Sequence, residues 1–359
     1  MGKPFQSELQ QLEATYAATL GADISALQAA AADAAPYPLV AIGSGGSLSA
    51  AHFVSFLHEK YAGRLSRVST PLEVMSLLAD SDSRRCITSS AAVCLSAGGT
   101  NMDINRAFRA MILAEPKHLT VVCARKRSRL SREAAKYDWV EMLDFDLPSK
   151  KDGFLATNSL LAFIVLFARA YSMAHGTPVC FPSSLWQLAD LGDNLAAALE
   201  ELRDRLAPVL ARDDLLVLHG VNTRAAAWDL ESKFTEAALG SVSVADYRNF
   251  AHGRHHWLAK RADSSAVIAL TGELDWQLAS RTMSLIPASV PSVAIRTAGS
   301  PVHCAVGSVL KTFLITAIAG ETRGIDPGRP KVPEFGRRLY HLGVGRLART
   351  RSVPAAVMR

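Results

Sequence analysis

Lys233-Phe234-Thr235-Glu236, followed sixteen residues after the glutamate by His252-Gly253, has the residue types for proton chemistry. On a helix, residues three apart share a face, so Lys233 and Glu236 are expected to point into one pocket. A carboxylate and an imidazole converging on one compound can move protons between carbon and oxygen. A neighbouring ammonium would keep the carboxylate ionised or stabilise a developing oxyanion. The alternative is a solvated Lys–Glu pair on a helix surface and an unrelated histidine. The stretch from Phe250 to Trp257, which contains His252, Arg254, His255 and His256, is too polar and aromatic for an ordinary turn. Arg254 and His255 are therefore candidates to line a site and supply positive charge.

Other residues offer hydrogen bonds rather than protons. Gly43-Ser44-Gly45-Gly46-Ser47 stands between an apolar run, Pro38 to Ile42, and a helical pattern from Ala50 to Tyr61. A Gly/Ser turn from strand to helix presents main-chain N–H groups and hydroxyls to an anion or to sugar oxygens, which singles out Gly43, Ser44, Gly45 and Ser47. Ser96-Ala97-Gly98-Gly99-Thr100-Asn101 follows the apolar run Ala91 to Leu95 and adds Ser96, Gly98, Thr100 and Asn101. Either loop could instead be a turn with no ligand. Later in the chain, Leu215 to Leu218 leads into His219-Gly220-Val221-Asn222-Thr223, with Asn222 as candidate, and then into a helical pattern from Ala225 to Leu239.

Positioning these residues takes strands that end where the loops begin. Further strands are expected at Ala266 to Leu270, Leu119 to Cys123 and Ser292 to Ile295. Short buried runs alternating with helical stretches predict an α/β chain with two tandem, doubly wound parallel sheets and flanking helices. Prolines at 36 and 38 end an N-terminal helical segment, and Gly176 to Pro178 and Phe181 to Ser184 close the first half. The expected organisation is an N-terminal helical segment (1–36), a first domain (37–175), a helical connector (176–210), a second domain (211–345) and a basic tail (346–359). In the connector, Leu195, Leu199, Leu202 and Leu206 form one stripe.

With these motifs the chain resembles the double-domain form of the SIS (sugar isomerase) superfamily, as in the isomerase half of glucosamine-6-phosphate synthase and related sugar-phosphate deaminases and deglycases. The resemblance covers roughly residues 37–345. The family's S-x-S-G-x-T-x-D loop is matched by Ser96 to Asp103, with Gly98 in place of the second Ser and Asn101 in place of the Thr. Its K-x-x-E followed by H-G is matched by Lys233, Glu236, His252 and Gly253, with Arg254 where the family has proline. The resemblance implies an enzyme acting at C1/C2 of a phosphorylated or otherwise anionic sugar derivative, as aldose–ketose isomerase or as deaminase or deglycase. Glu236 would be the base, through an enediol. His252, contributed by a neighbouring subunit of a homodimer with shared sites, would open the ring. The phosphate would sit at the second Ser/Gly loop, and Thr157 falls where the family has a substrate-binding hydroxyl, although a helix N-cap is an equal reading for it. No cofactor and no metal are implied. Phe335 occupies the place of the lysine that forms imines in amino-sugar-forming members, which favours isomerisation or lysine-free deglycation. The alternative class is a non-catalytic sugar-phosphate or nucleotide-sugar sensor or scaffold, because fold does not fix function.

Composition fits a globular enzyme expected in the cytoplasm: 49% of residues are hydrophobic and 20% charged, too apolar for a disordered chain. The apolar run Leu160 to Ala168 is shorter than a membrane span needs, and residues 1–36 lack a signal pattern. The odd, scattered cysteines, five in all, form neither a disulfide framework nor a zinc site. The net charge of +6 concentrates at Arg125-Lys126-Arg127-Ser128-Arg129 and from Arg337 onward. No nucleic-acid-binding motif accompanies it, so a solvated surface is expected there, with a polyanionic partner as the alternative, and a nucleic-acid partner is not expected.

Overall fold

The computed structural model describes residues 2–192 and 195–342. The expected tail (346–359) and the end of the second domain at 345 lie outside the described residues. The chain forms two compact units, each assembled from separate segments. One contains Ala14–Lys151 and Asn158–Val179; the other contains residues 2–13, Asp152–Thr157 and Cys180–Pro330.

The first unit holds a parallel sheet of strands β1 (Leu39–Ile42), β2 (Ser66–Ser69), β3 (Ala91–Ser96), β4 (His118–Cys123) and β5 (Val140–Asp144), in the order β2-β1-β3-β4-β5. Every residue of β1 and β3 is buried, as expected for central strands covered on both faces. Ile42 pairs with Cys94, and Ser96 with Cys123, so the loops after β1, β3 and β4 leave from one edge. The core joins Ile42, Cys94 and Val121 to Phe108 and Met111 of the helix Met102–Ala114. The helix Asn158–Ala174 is buried along most of its length, from Asn158 to Ser172.

The second unit repeats the plan with β6 (Asp214–His219), β7 (Ser241–Asp246), β8 (Ser265–Thr271) and β9 (Ser292–Arg296), in the order β7-β6-β8-β9, all parallel. Its central helix, Pro301–Arg323, is long and apolar enough to cross a membrane, yet 89% of its apolar window is buried inside the protein. Ser300 caps it by accepting from His303 N, Pro301 opens it, and Gly324 closes it in the left-handed region at φ 64°.

Both sheets have the expected type and direction. The edge strands β2, β5 and β7 lie outside the expected strands, because Ser, Arg and Glu break their apolar pattern. The N-terminal segment is three short helices, Phe5–Leu9, Leu12–Gly21 and Ser25–Ala34. Residues 2–13 pack within the second unit, where Phe5 N donates to Asp326 Oδ1 at 2.9 Å and Arg329 Nε to Gly2 O at 2.6 Å. Along Leu195–Leu210 only the later part of the expected stripe, Leu202 and Leu206, is buried.

Candidate active site

In the five-stranded sheet the chain reverses its winding between β1 and β3. In open parallel sheets such a switch point leaves a crevice beyond the strand ends. Gly43 to Ser47 leaves β1 there and Ser96 to Asn101 leaves β3, so two of the sequence-predicted loops flank one crevice. Gly43 must be glycine: a Cβ would lie 2.2 Å from Ser47 O. Gly99 has φ 62°, and a Cβ there would lie 2.1 Å from Ser128 Oγ. Among the described residues, the main-chain N–H groups of Ser44, Gly45, Gly98, Thr100 and Asn101 have no acceptor. Ser96 Oγ accepts from Gly99 N at 3.1 Å, which leaves its own proton to donate. Two adjoining turns whose donors lack acceptors make an anion cradle.

Asn101 and Gly98 differ in this cradle from what their residue types suggest. Asn101 Oδ1 accepts from Asp103 N (2.8 Å) and Ile104 N (3.1 Å), so it caps the helix Met102–Ala114 and only its Nδ2 is left to donate to a ligand. An Asn side-chain oxygen is a preferred N-cap acceptor. At Gly98, an added Cβ would meet only Thr100 Oγ1, at 3.6 Å, so the missing hydroxyl reflects no lack of space. Beneath the loop, Asn105 donates to Asn101 O at 2.6 Å and Gly99 O at 3.3 Å, while its buried Oδ1 has no partner among the described residues. A separate cleft, lined by Thr19, Ile24, Phe145 and Leu147, lies at the β5 edge, with β4 intervening before the crevice.

The second sheet has the same switch between β6 and β8, but its cradle is filled from within. Asp275 Oδ1 accepts from Thr271 Oγ1 (2.7 Å) and Gly272 N (2.8 Å), and Gly220 N donates to Thr223 Oγ1 at 3.0 Å. A Cβ on Gly220 would fall 1.2 Å from Asp275 Oδ2. An internal carboxylate thus occupies the place an anion would take. Asn222 is buried beside this loop. His219, also buried, has an Nδ1 2.8 Å from Gly220 O, and burial pushes its pKa below the usual histidine range.

Lys233 and Glu236 lie on the helix Arg224–Glu236 but do not share a solvent-facing pocket. The Lys233 side chain is 2% exposed and its Nζ pairs with Asp229, which is 0% exposed. Asp229 also accepts from Thr312 Oγ1, and Nζ stands 4.7 Å from the Phe313 ring centroid. Lys233 therefore reaches inward, to the helix Pro301–Arg323. Asp229-x-x-x-Lys233 is readable in the sequence as an i, i+4 pair, which competes with the K-x-x-E spacing for the same lysine. Glu236 is exposed at the end of the helix and accepts from Ser232 Oγ at 2.6 Å. Although it faces solvent, protein crowded around the carboxyl raises its pKa; the Ser232 bond and the Lys233 charge oppose the rise.

His252, Arg254 and His255 stand on a turn whose residues Ala251 to Trp257 are all exposed. Gly253, at φ 98°, makes the bend that ends the helical path there. The His255 and His256 rings are 4.8 Å apart, and Trp257 Nε1 donates to Ser265 Oγ at 3.0 Å, anchoring the turn at β8. Thr157, by contrast, is fully buried: Oγ1 donates to Glu8 Oε2 at 3.1 Å, and N to Asp152 Oδ2 at 3.2 Å. In this structure it ties residues 152–157 to the N-terminal helix. Phe335 is 67% exposed on the helix Glu334–Tyr340. Among the described residues, no cluster of His, Cys, Asp and Glu is arranged to hold a metal.

No protein-family model matches the chain, and no curated protein matches it. Solved structures do. Tagatose-6-phosphate ketose/aldose isomerase from Escherichia coli superposes with a TM-score of 0.68 at 14% identity, covering 93% of this chain and 98% of that one. The C-terminal domain of glucosamine-fructose-6-phosphate aminotransferase from Francisella tularensis gives 0.66 at 14% identity, over 90% and 95%. Glucosamine-6-phosphate deaminase from Thermotoga maritima gives 0.64 at 15% identity, over 92% and 98%.

Proposed function

From the double SIS fold that these superpositions establish, we propose that the chain binds a sugar phosphate and moves a proton between its C1 and C2, as an aldose–ketose isomerase. The observation that carries the proposal is the open cradle at the β1/β3 switch point, where N–H groups lacking acceptors await an anion. The solved relatives named for tagatose 6-phosphate and glucosamine 6-phosphate act on compounds of that class. Glu236 is the base: it reaches solvent, and its raised pKa brings it nearer to neutral pH, where a base that must also return its proton works best. His252, on its exposed turn, opens the ring for a neighbouring copy in a homodimer. Lys233, held inward by Asp229, acts as a positioning residue that fixes the helix carrying Glu236. With Phe335 at the place of the imine-forming lysine, enediol chemistry needs no covalent intermediate.

The test is solvent exchange. Incubated in D2O with a panel of hexose and hexosamine 6-phosphates, the enzyme should introduce deuterium at C2 of the aldose and at C1 of the ketose that it interconverts. Glu236→Gln should lower kcat by about 10²–10⁴-fold, while ligand affinity stays within about tenfold because only the transition state loses its interaction. Binding without exchange in the wild type would make the chain a sensor. Sedimentation showing only a 38.5 kDa species at micromolar concentration would remove the shared-site role of His252.

A further inference from the structure

The loop after β4 runs beside the cradle. Ala124 N donates to Ser96 O at 3.4 Å and Leu130 N to Gly99 O at 3.0 Å, and Ser128 fills the space that a side chain at residue 99 would take. Between these contacts lie Arg125, Lys126 and Arg127, with Arg129 just beyond, all exposed. The loop is held through its main chain. Lys126 N donates to Asp146 Oδ1 at 3.0 Å and Arg127 N to Asp144 Oδ2 at 2.9 Å, and Arg127 takes a left-handed φ of 52°. Those carboxylates thus engage N–H groups rather than the cations. Among the described residues no ion pair involves the Arg125, Lys126, Arg127 or Arg129 side chains. Cations outside any ion pair among the described residues, carried on a loop held through its main chain, therefore flank an anion cradle in which Gly98 offers no hydroxyl.

We infer that the Arg125–Arg129 loop is a second anion-binding element, and that the ligand carries two phosphoryl groups on oxygens other than those of C1 and C2, as a sugar bisphosphate with a free anomeric centre or a sugar with a terminal diphosphate does. The inference rests on the sugar-phosphate reading of the cradle and extends it: main-chain donors take one phosphoryl group and the guanidinium and ammonium groups take the other. Arginine suits phosphate oxygens through its forked donors, and lysine acts as a point charge.

Titration calorimetry of the full chain with inorganic phosphate and inorganic pyrophosphate tests it. Each exposed cation is worth up to about fivefold in affinity, so pyrophosphate should bind about ten- to a hundredfold tighter than phosphate at low salt. The preference should shrink as salt screens the loop. R125S/K126S/R127G keeps the main-chain bonds to Asp144 and Asp146 and relieves the positive φ. It should abolish the preference while phosphate affinity stays within about threefold. R125S/K126S, which leaves residue 127 untouched, should lose most of it too and covers the case in which the triple variant misfolds. Competition by a hexose 4,6-bisphosphate or by a hexose 6-diphosphate, each with its anomeric centre free, then separates the two ligand sources. Equal wild-type affinities, or a preference that survives substitution, would overturn the inference and leave the sugar-phosphate reading intact. Parallel loss of both anions in the variants would also overturn it, by making the loop the sole anion site. Failure of both anions to bind the wild type would overturn the inference together with the cradle itself.

Discussion

Replacing Lys233 with Met should destabilise the second unit strongly, and for an electrostatic reason. Met fills much of the space of the lysine stem but removes the charge that neutralises Asp229. The carboxylate, 0% exposed, would then rely on Thr312 alone. Breaking a buried ion pair from one side costs about 3–5 kcal/mol, because the remaining charge stays buried without compensation. At about 2–4 °C per kcal/mol for a unit of this size, the melting temperature should fall by about 6–20 °C. The double variant Lys233→Met/Asp229→Leu should recover most of that loss, since an apolar pair of similar volume often matches a buried ion pair. Thr312 Oγ1 is not orphaned in that variant, because it is also placed to donate to Val309 O at 2.7 Å. Calorimetric melts and urea titrations of the two variants are the assay. A single variant melting within about 2 °C of wild type would refute the argument. So would a double variant no better than the single one, which would make the loss one of packing rather than of charge. Well below its melt, Lys233→Met should retain the kcat of a properly folded enzyme within about tenfold, as suits a residue that acts through position.

Other expectations follow from buried polar groups. Lys311 is 5% exposed, its Nζ bonds Arg296 O, and burial pushes its pKa down to about 8. The unfolded chain holds that proton up to about pH 10.4, so this group makes stability rise from about pH 8 to 10.4 and level off above. Lys311→Met should remove about 3 kcal/mol of that rise, read as the difference between urea titrations at pH 7.5 and 10.5. Gly98→Ser, with room for its Cβ, should tighten phosphate about tenfold by calorimetry through one added hydroxyl donor; an unchanged affinity would show that the cradle does not hold phosphate at that point. Burial, then the Asp152 charge, holds the Glu8 carboxyl above its ordinary range. The stability it contributes is therefore present below about pH 4.3 and lost as pH climbs through the raised folded pKa. Glu8→Gln should melt at or above wild type at neutral pH, whereas Glu8→Ala, by removing the shorter of the two carboxylate acceptors of the Thr157 hydroxyl (Glu8 at 3.1 Å, Asp152 at 3.4 Å), should cost about 1–3 kcal/mol.

The central strands, the glycine loops and the tandem parallel plan were legible in the sequence because each is a local signal. A run buried on both faces is continuously apolar, and a strand-to-helix turn announces itself by Gly and Ser. The edge strands were not legible: β7 reads Ser-Val-Ser-Val-Ala-Asp and pairs only because β6 offers it a partner. Residue types also named Ser96, Gly98, Glu236 and His252 as candidates, but not what surrounds them. The two switch-point loops look alike in sequence, yet one keeps N–H groups without acceptors while Asp275 fills the other. Lys233 has one sequence and two possible partners, Glu236 at i+3 and Asp229 at i−4, and the helix Pro301–Arg323 decides between them by burying one side. Thr157 likewise faces Glu8 across 149 residues of chain. A sequence specifies what a side chain can bond; whether that capacity is spent internally or left for a ligand depends on which distant segment packs against it, and only the tertiary structure decides that.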